Sequence, residues 1–231
     1  MYGNRIVYLC AQVKCHHQTN PFDLKSKLPS NQVIPAMEQF YRQSFDEYIL
    51  IPGLTIPSGM AFASGYTTAH GKTRIFNTFG PFALQQFTAA EAINMGYADE
   101  KHLRELTIHE FGHSFTNPVL DKIPRQQIAE TKSLYDTIKT AMENQGYNTW
   151  KSCLYEHFVR AGEIIIALNL GKKEDAEKLK VYYMQDRQFI YLPVILARLE
   201  QYKNNLNITY QDAVNATMEK LKALVNSKPI Y

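Results

Sequence analysis

Three cysteines in 231 residues cannot all pair within one chain, which excludes the disulfide framework that staples small secreted domains. The spacing allows at most one bridge, Cys10–Cys15. Long apolar runs are missing as well. The longest, Tyr48–Pro52 and Ile164–Leu170, fall far short of the roughly 18–20 residues needed to cross a bilayer. Charge of either sign is not in excess: 25 Lys and Arg face 22 Asp and Glu, and a net +3 is too small to argue for nucleic acid or a membrane surface. There is no internal repeat and no low-complexity tract. With 45% hydrophobic residues the chain has the composition of a soluble globular protein, which excludes disorder, collagen and coiled coil.

The N-terminal run Ile6–Val13 sits behind a single Arg5 and lacks a small-residue cleavage site, so it reads as a buried helix or strand rather than a signal peptide. The expectation is a cytoplasmic chain, or a processed or shortened form of an exported one. Cys10, Cys15, His16 and His17 crowd together, but no matching second half follows. They are read as buried thiols and a polar turn rather than a metal site.

Residues of about 34–48 have helical spacing in Ile34, Met37, Phe40, Tyr41 and Phe45. Punctuation follows at Pro52-Gly53, Pro57-Ser58-Gly59, Gly65, Gly71 and Gly80-Pro81. Between these marks lie short β-rich runs at Tyr48–Ile51, Met60–Ser64 and Thr73–Phe79, read as a small sheet joined by hairpins. After Pro81 the pattern turns helical. One helix is predicted over about 99–117, with Asp99 as N-cap and Pro118 as its stop. Another is predicted over about 149–170 with Gly171 beyond its end, and others near 174–185, 187–203 and 210–226. The expected fold class is α+β in a single domain of residues 1–231. A small antiparallel or mixed sheet lobe (about 1–98) leads into a helical lobe (about 99–231).

Within the first of those long helices stands His109-Glu-Phe-Gly-His113. Histidines four residues apart project from one helix face, one turn apart, so two imidazole nitrogens can close on one Zn²⁺ at about 2.0–2.1 Å. Glu110 is then placed to take a proton from a water activated by that metal. His102 shares the face but lies two turns away, about 10 Å, too far to be a further ligand. The flanking residues Leu106, Thr107, Ile108, Phe111, Gly112, Ser114 and Phe115 are uncharged, as a dry site requires.

A catalytic zinc normally takes a third protein ligand. The metzincin pattern requires Gly three and His six residues after the second His, and Thr116 and Val119 stand there instead. The alternative is a carboxylate from a later helix. The segment Ser152–Glu163 offers Glu156, His157 and Glu163. Glu156 is favoured, and His157, Glu163, Glu130 and Asp121 remain alternatives. Arg160, one turn after Glu156, can hold that carboxylate or a substrate carbonyl. Glu163 is placed to accept the second N–H of a ligating histidine.

Three segments occur in order: Thr107-Ile-His-Glu-Phe-Gly-His-Ser-Phe115, Tyr155-Glu-His-Phe-Val-Arg-Ala161, and Asp186-Arg-Gln-Phe-Ile-Tyr191 through Leu199-Glu-Gln-Tyr202. Together they resemble a largely uncharacterised bacterial family of gluzincin-type metallopeptidases, the domain of unknown function numbered 4932, from about residue 40 onward. The resemblance implies a zincin-like fold, one Zn²⁺ per chain, and Glu156 as third ligand on its Glu-x-x-x-Arg helix. Better-known gluzincins often carry Asp where this chain has Arg160. Peptide hydrolysis also needs a donor for the oxyanion. Tyr191, in the third segment, is the first candidate, with Tyr183 and Arg160 behind it. An extended strand before the HExxH helix, Met60–Thr67 or Thr73–Phe79, can pair with peptide backbone.

The expectation is therefore a zinc-dependent hydrolase acting on peptide or protein substrates. Its rivals are a zinc-containing scaffold without turnover and a zinc amide hydrolase of another kind.

Overall fold

The computed structural model describes residues 6–8, 28–53, 55–83 and 95–227, with backbone alone for 6–8. Cys10, Cys15, His16 and His17 lie outside these residues. The described residues form an α+β structure, a small sheet followed by a mostly helical body, and group into two compact units. The first ends at Ser114; the second holds Phe115 onward together with Phe40–Arg42.

In the first unit, four strands form one mixed sheet: β1 (Ile6–Tyr8), β2 (Glu47–Pro52), β3 (Ala61–Thr67) and β4 (Thr73–Phe79), in the order β1-β2-β4-β3. β1, β2 and β4 are parallel, and β3 pairs antiparallel with β4. Among the described residues only the β3–β4 connection is thus a hairpin. The expectation that hairpins join all the runs fails at β2–β3, because β2 takes β4 as its partner. β2 buries three consecutive residues, Tyr48, Ile49 and Leu50, as an interior parallel strand covered on both faces must. β4 instead alternates, burying Ile75, Asn77 and Phe79. β3 is the edge, built of small residues, with Phe62 and Tyr66 exposed. Its Tyr66 stacks on Phe76, and Arg74 donates to Glu47 across the β2–β4 pair.

Gly80 follows β4 where no side chain fits. A Cβ there would lie 2.3 Å from the Pro57 carbonyl oxygen and 2.6 Å from that of Ile56, both backbone atoms. Gly80→Ala is expected to destabilise the protein by about 3 kcal/mol through this overlap. A urea midpoint equal to that of the parent would contradict it.

The helices of the described residues are α1 (Val33–Tyr41), α2 (Glu100–Leu120), α3 (Arg125–Glu130), α4 (Ser133–Glu143), α5 (Trp150–Asn169), α6 (Lys173–Val181), α7 (Leu192–Asn204) and α8 (Tyr210–Ser227). Asp99 caps α2, its Oδ1 accepting from the His102 N–H at 2.9 Å. Pro118 does not stop this helix. It lies inside the last turn, where its missing N–H costs one bond, and the ladder resumes with Asp121 N–H to Asn117 at 2.8 Å. α6 runs on into a π-helical turn, Tyr182–Asp186. α7 begins at Leu192 rather than near 187, because Gln188 takes φ +59 and breaks the helical path. Among the described residues no helix is long and apolar enough to cross a membrane.

In the second unit α5 is the most enclosed element, buried almost throughout from Trp150 to Ala167. Thr149 and Ser152 form a reciprocal capping box at its start. At its end Gly171 (φ +74) makes a Schellman cap, with Lys172 N–H to Ala167 at 2.9 Å and Gly171 N–H to Leu168 at 3.0 Å. Arg42 reaches the end of α7. Its guanidinium donates to the carbonyls of Tyr202 (2.8 Å) and Ile208 (2.6 Å) and lies 4.2 Å from the Tyr202 ring centre.

Candidate metal centre

α2 turns one face to the core and a second to the site. Leu103, Thr107, Phe111 and Phe115 recur at intervals of four and are fully buried. Phe111 meets Tyr48 of β2 edge-on at 5.4 Å, which seats the helix on the sheet. His102 stacks on Phe82 at 4.1 Å, near the helix start. Beside that buried face, His109 and His113 are partly exposed, and their Nε2 atoms approach to 3.3 Å. Two nitrogens at zinc-ligand distance in a tetrahedron stand about 3.3 Å apart, so the spacing suits one shared ion. Glu110 is 7% exposed, its Oε1 3.9 Å from the His109 Nε2.

α5 carries the other carboxylates. Glu156 is buried, and its Oε2 accepts from the Tyr147 hydroxyl at 3.1 Å and lies 3.4 Å from Arg160 Nη2. Arg160 Nη1 donates to Glu163 Oε1 at 3.2 Å and to the Tyr183 oxygen at 3.2 Å. Tyr183, on the π-helical turn, donates to Glu163 Oε2. Burial opposes the Arg160 charge, but Glu163, Tyr183, Glu156 and Tyr147 outweigh it, and its pKa rises well above the ordinary value. Burial and the Glu156 charge push the Tyr147 hydroxyl up to about 12, so it stays a proton donor.

His109, His113 and Glu156 each offer one ligand atom, and these atoms all lie within 4.8 Å of one another. Two imidazoles and a carboxylate, all partly withdrawn from water, make a group able to hold a metal ion.

The other sequence candidates are placed differently. His157 points Nδ1 at the Cys153 carbonyl (2.8 Å) and packs among Phe189, Tyr191 and Trp150. Burial lowers its pKa to about 4 and keeps it neutral. Asp121 is held at the surface by Lys151 and Tyr155, and Glu130 by Lys222 at 2.9 Å. The Tyr191 hydroxyl donates to the Leu134 carbonyl at 2.8 Å. Tyr147 is the residue that motif reading missed. It precedes α5 in a turn made by Gly146 (φ +88) and belongs to no recognisable pattern.

A family profile described as a domain of unknown function (DUF4932) matches residues 12–213. No curated protein and no solved structure matches the chain.

Proposed function

The chain belongs to that family of domains of unknown function (DUF4932), and we propose that it is a zinc-dependent hydrolase of the gluzincin type, cleaving peptide bonds. The observation that carries this reading is the convergence of His109, His113 and Glu156, ligand atoms within 4.8 Å of one another, with Glu110 next to the first histidine. A zincin-like architecture is part of the proposal. It is supported by a mixed sheet with one antiparallel edge strand, β3, and by the HExxH segment of α2, which lies in the same unit as β2 and meets it through Phe111.

Zinc, when bound, acts as a Lewis acid that acidifies water and polarises a carbonyl. The protein supplies the rest. His109, His113 and Glu156 would hold the ion. The Glu110 carboxylate accepts the proton of the attacking water and returns it to the leaving nitrogen. Its enclosure suits that task, because little bulk water reaches it to compete. An extended substrate can pair with β3, the outer strand of the sheet among the described residues.

Metal analysis of the purified chain is the test. About one zinc per chain is expected, lost in a His109→Ala, His113→Ala variant. A metal content unaltered by that variant would overturn the reading. Denatured protein, peptides and small amides assayed side by side separate a peptidase from an amide hydrolase of another kind. Zinc bound with no turnover of any of them would mark a scaffold.

A further inference from the structure

We infer that Tyr147 and Arg160 select which oxygen of Glu156 meets a metal: both stand at Oε2, so that Oε1 is the oxygen offered to the ion. The inference rests on the zinc reading above and adds two positioning residues to it.

One hydroxyl donor and one cation converge on one atom from different parts of the chain. The Tyr147 hydroxyl donates to Oε2 at 3.1 Å, and Arg160 Nη2 lies 3.4 Å from the same oxygen. A carboxylate offers two oxygens and can bind a metal through either or both. A donor and a cation gathered on one side favour the arrangement in which the opposite oxygen alone meets the ion. A charge-assisted contact strengthens that preference in a buried setting.

Neither group is loosely held. The Tyr147 backbone is fixed at both ends, its N–H donating to the Met142 carbonyl (3.0 Å) and its carbonyl accepting from the Tyr135 hydroxyl (3.0 Å). Its ring leans on Phe189. Arg160 is gripped by Glu163 and by Tyr183, whose ring centre lies 4.9 Å from the guanidinium carbon. Tyr183 reaches that position from the π-helical turn, and its hydroxyl closes the other oxygen of Glu163. The guanidinium therefore cannot leave Glu156 without breaking contacts on its far side. Tyr147 and Arg160 act through Glu156 and need not touch substrate.

The test is zinc affinity by chelator competition on the folded full chain, with the visible spectrum of the Co²⁺-loaded protein as a second readout. Tyr147→Phe keeps the ring and removes only the donor. It is expected to weaken zinc binding about 10–100-fold, as losing a partner of a metal ligand does, and to shift the Co²⁺ absorption. Arg160→Lys, which keeps the charge but not the fork, is expected to weaken zinc as well. A Tyr147→Phe chain with unchanged zinc affinity and an unchanged Co²⁺ spectrum overturns the inference. So does one whose metal-free form melts earlier while its zinc affinity stays at the parent value. A parent chain that binds no zinc fails the proposed function itself, a result distinct from either.

Discussion

Glu110→Gln is expected to keep zinc bound and to lower turnover by about 10²–10⁴-fold, the contribution of a positioned general base. The amide is nearly the same size as the carboxylate, so the 7%-exposed pocket is not emptied. The three ligand atoms belong to other residues, so the ion has no reason to leave. What disappears is a group able to accept a proton beside His109, where Oε1 stands 3.9 Å from Nε2. The measurement pairs metal content with kcat on a cleaved peptide. Near-parental kcat at full zinc content would remove Glu110 from the chemistry, and loss of zinc would make it part of the binding set.

Phe115→Ala is expected to cost about 3–5 kcal/mol of stability. The side chain is 1% exposed, and its ring is stacked on Tyr41 at 4.5 Å with the planes 4° apart. Tyr41 in turn meets Phe40 and Tyr210 edge-on, so the cavity opens inside an aromatic cluster that cannot collapse freely. For a chain of this length the loss corresponds to about 10 °C in Tm, read by circular dichroism on heating. A shift below about 2 °C would mean that the cluster repacks.

The HExxH helix could be read from sequence because every signal it uses is local. The four-residue histidine spacing, the buried set Leu103, Thr107, Phe111 and Phe115, and the cap at Asp99 all lie within about six turns of one helix. The carboxylate of Glu156 was among the readable candidates for the same reason, standing one turn before Arg160. Tyr147 was not readable. It reaches Glu156 through a left-handed glycine turn, and one tyrosine among fifteen carries no spacing that marks it. The π-helical turn that aims Tyr183 escapes the sequence pattern because no residue type or spacing marks where an i→i+5 turn forms. The pairing of β2 with β4 also escaped, since strand order depends on partners far apart along the chain. The proline expectation failed because Pro118 falls where a helix has few remaining bonds to lose.

The parallel pairing carries a cost in chain entropy. β3 meets β4 across a short loop, whereas β1 meets β2, at Ile6 and Tyr48, across a far longer one. Closing roughly forty residues instead of about six costs roughly 1.7 kcal/mol more. What holds the interior strand in place is the burial of Tyr48, Ile49 and Leu50, and Tyr48 is the residue that touches the histidine helix through Phe111. The seat of the histidine helix is thus assembled from distant parts of the chain and kept by side-chain packing, with local connectivity contributing little.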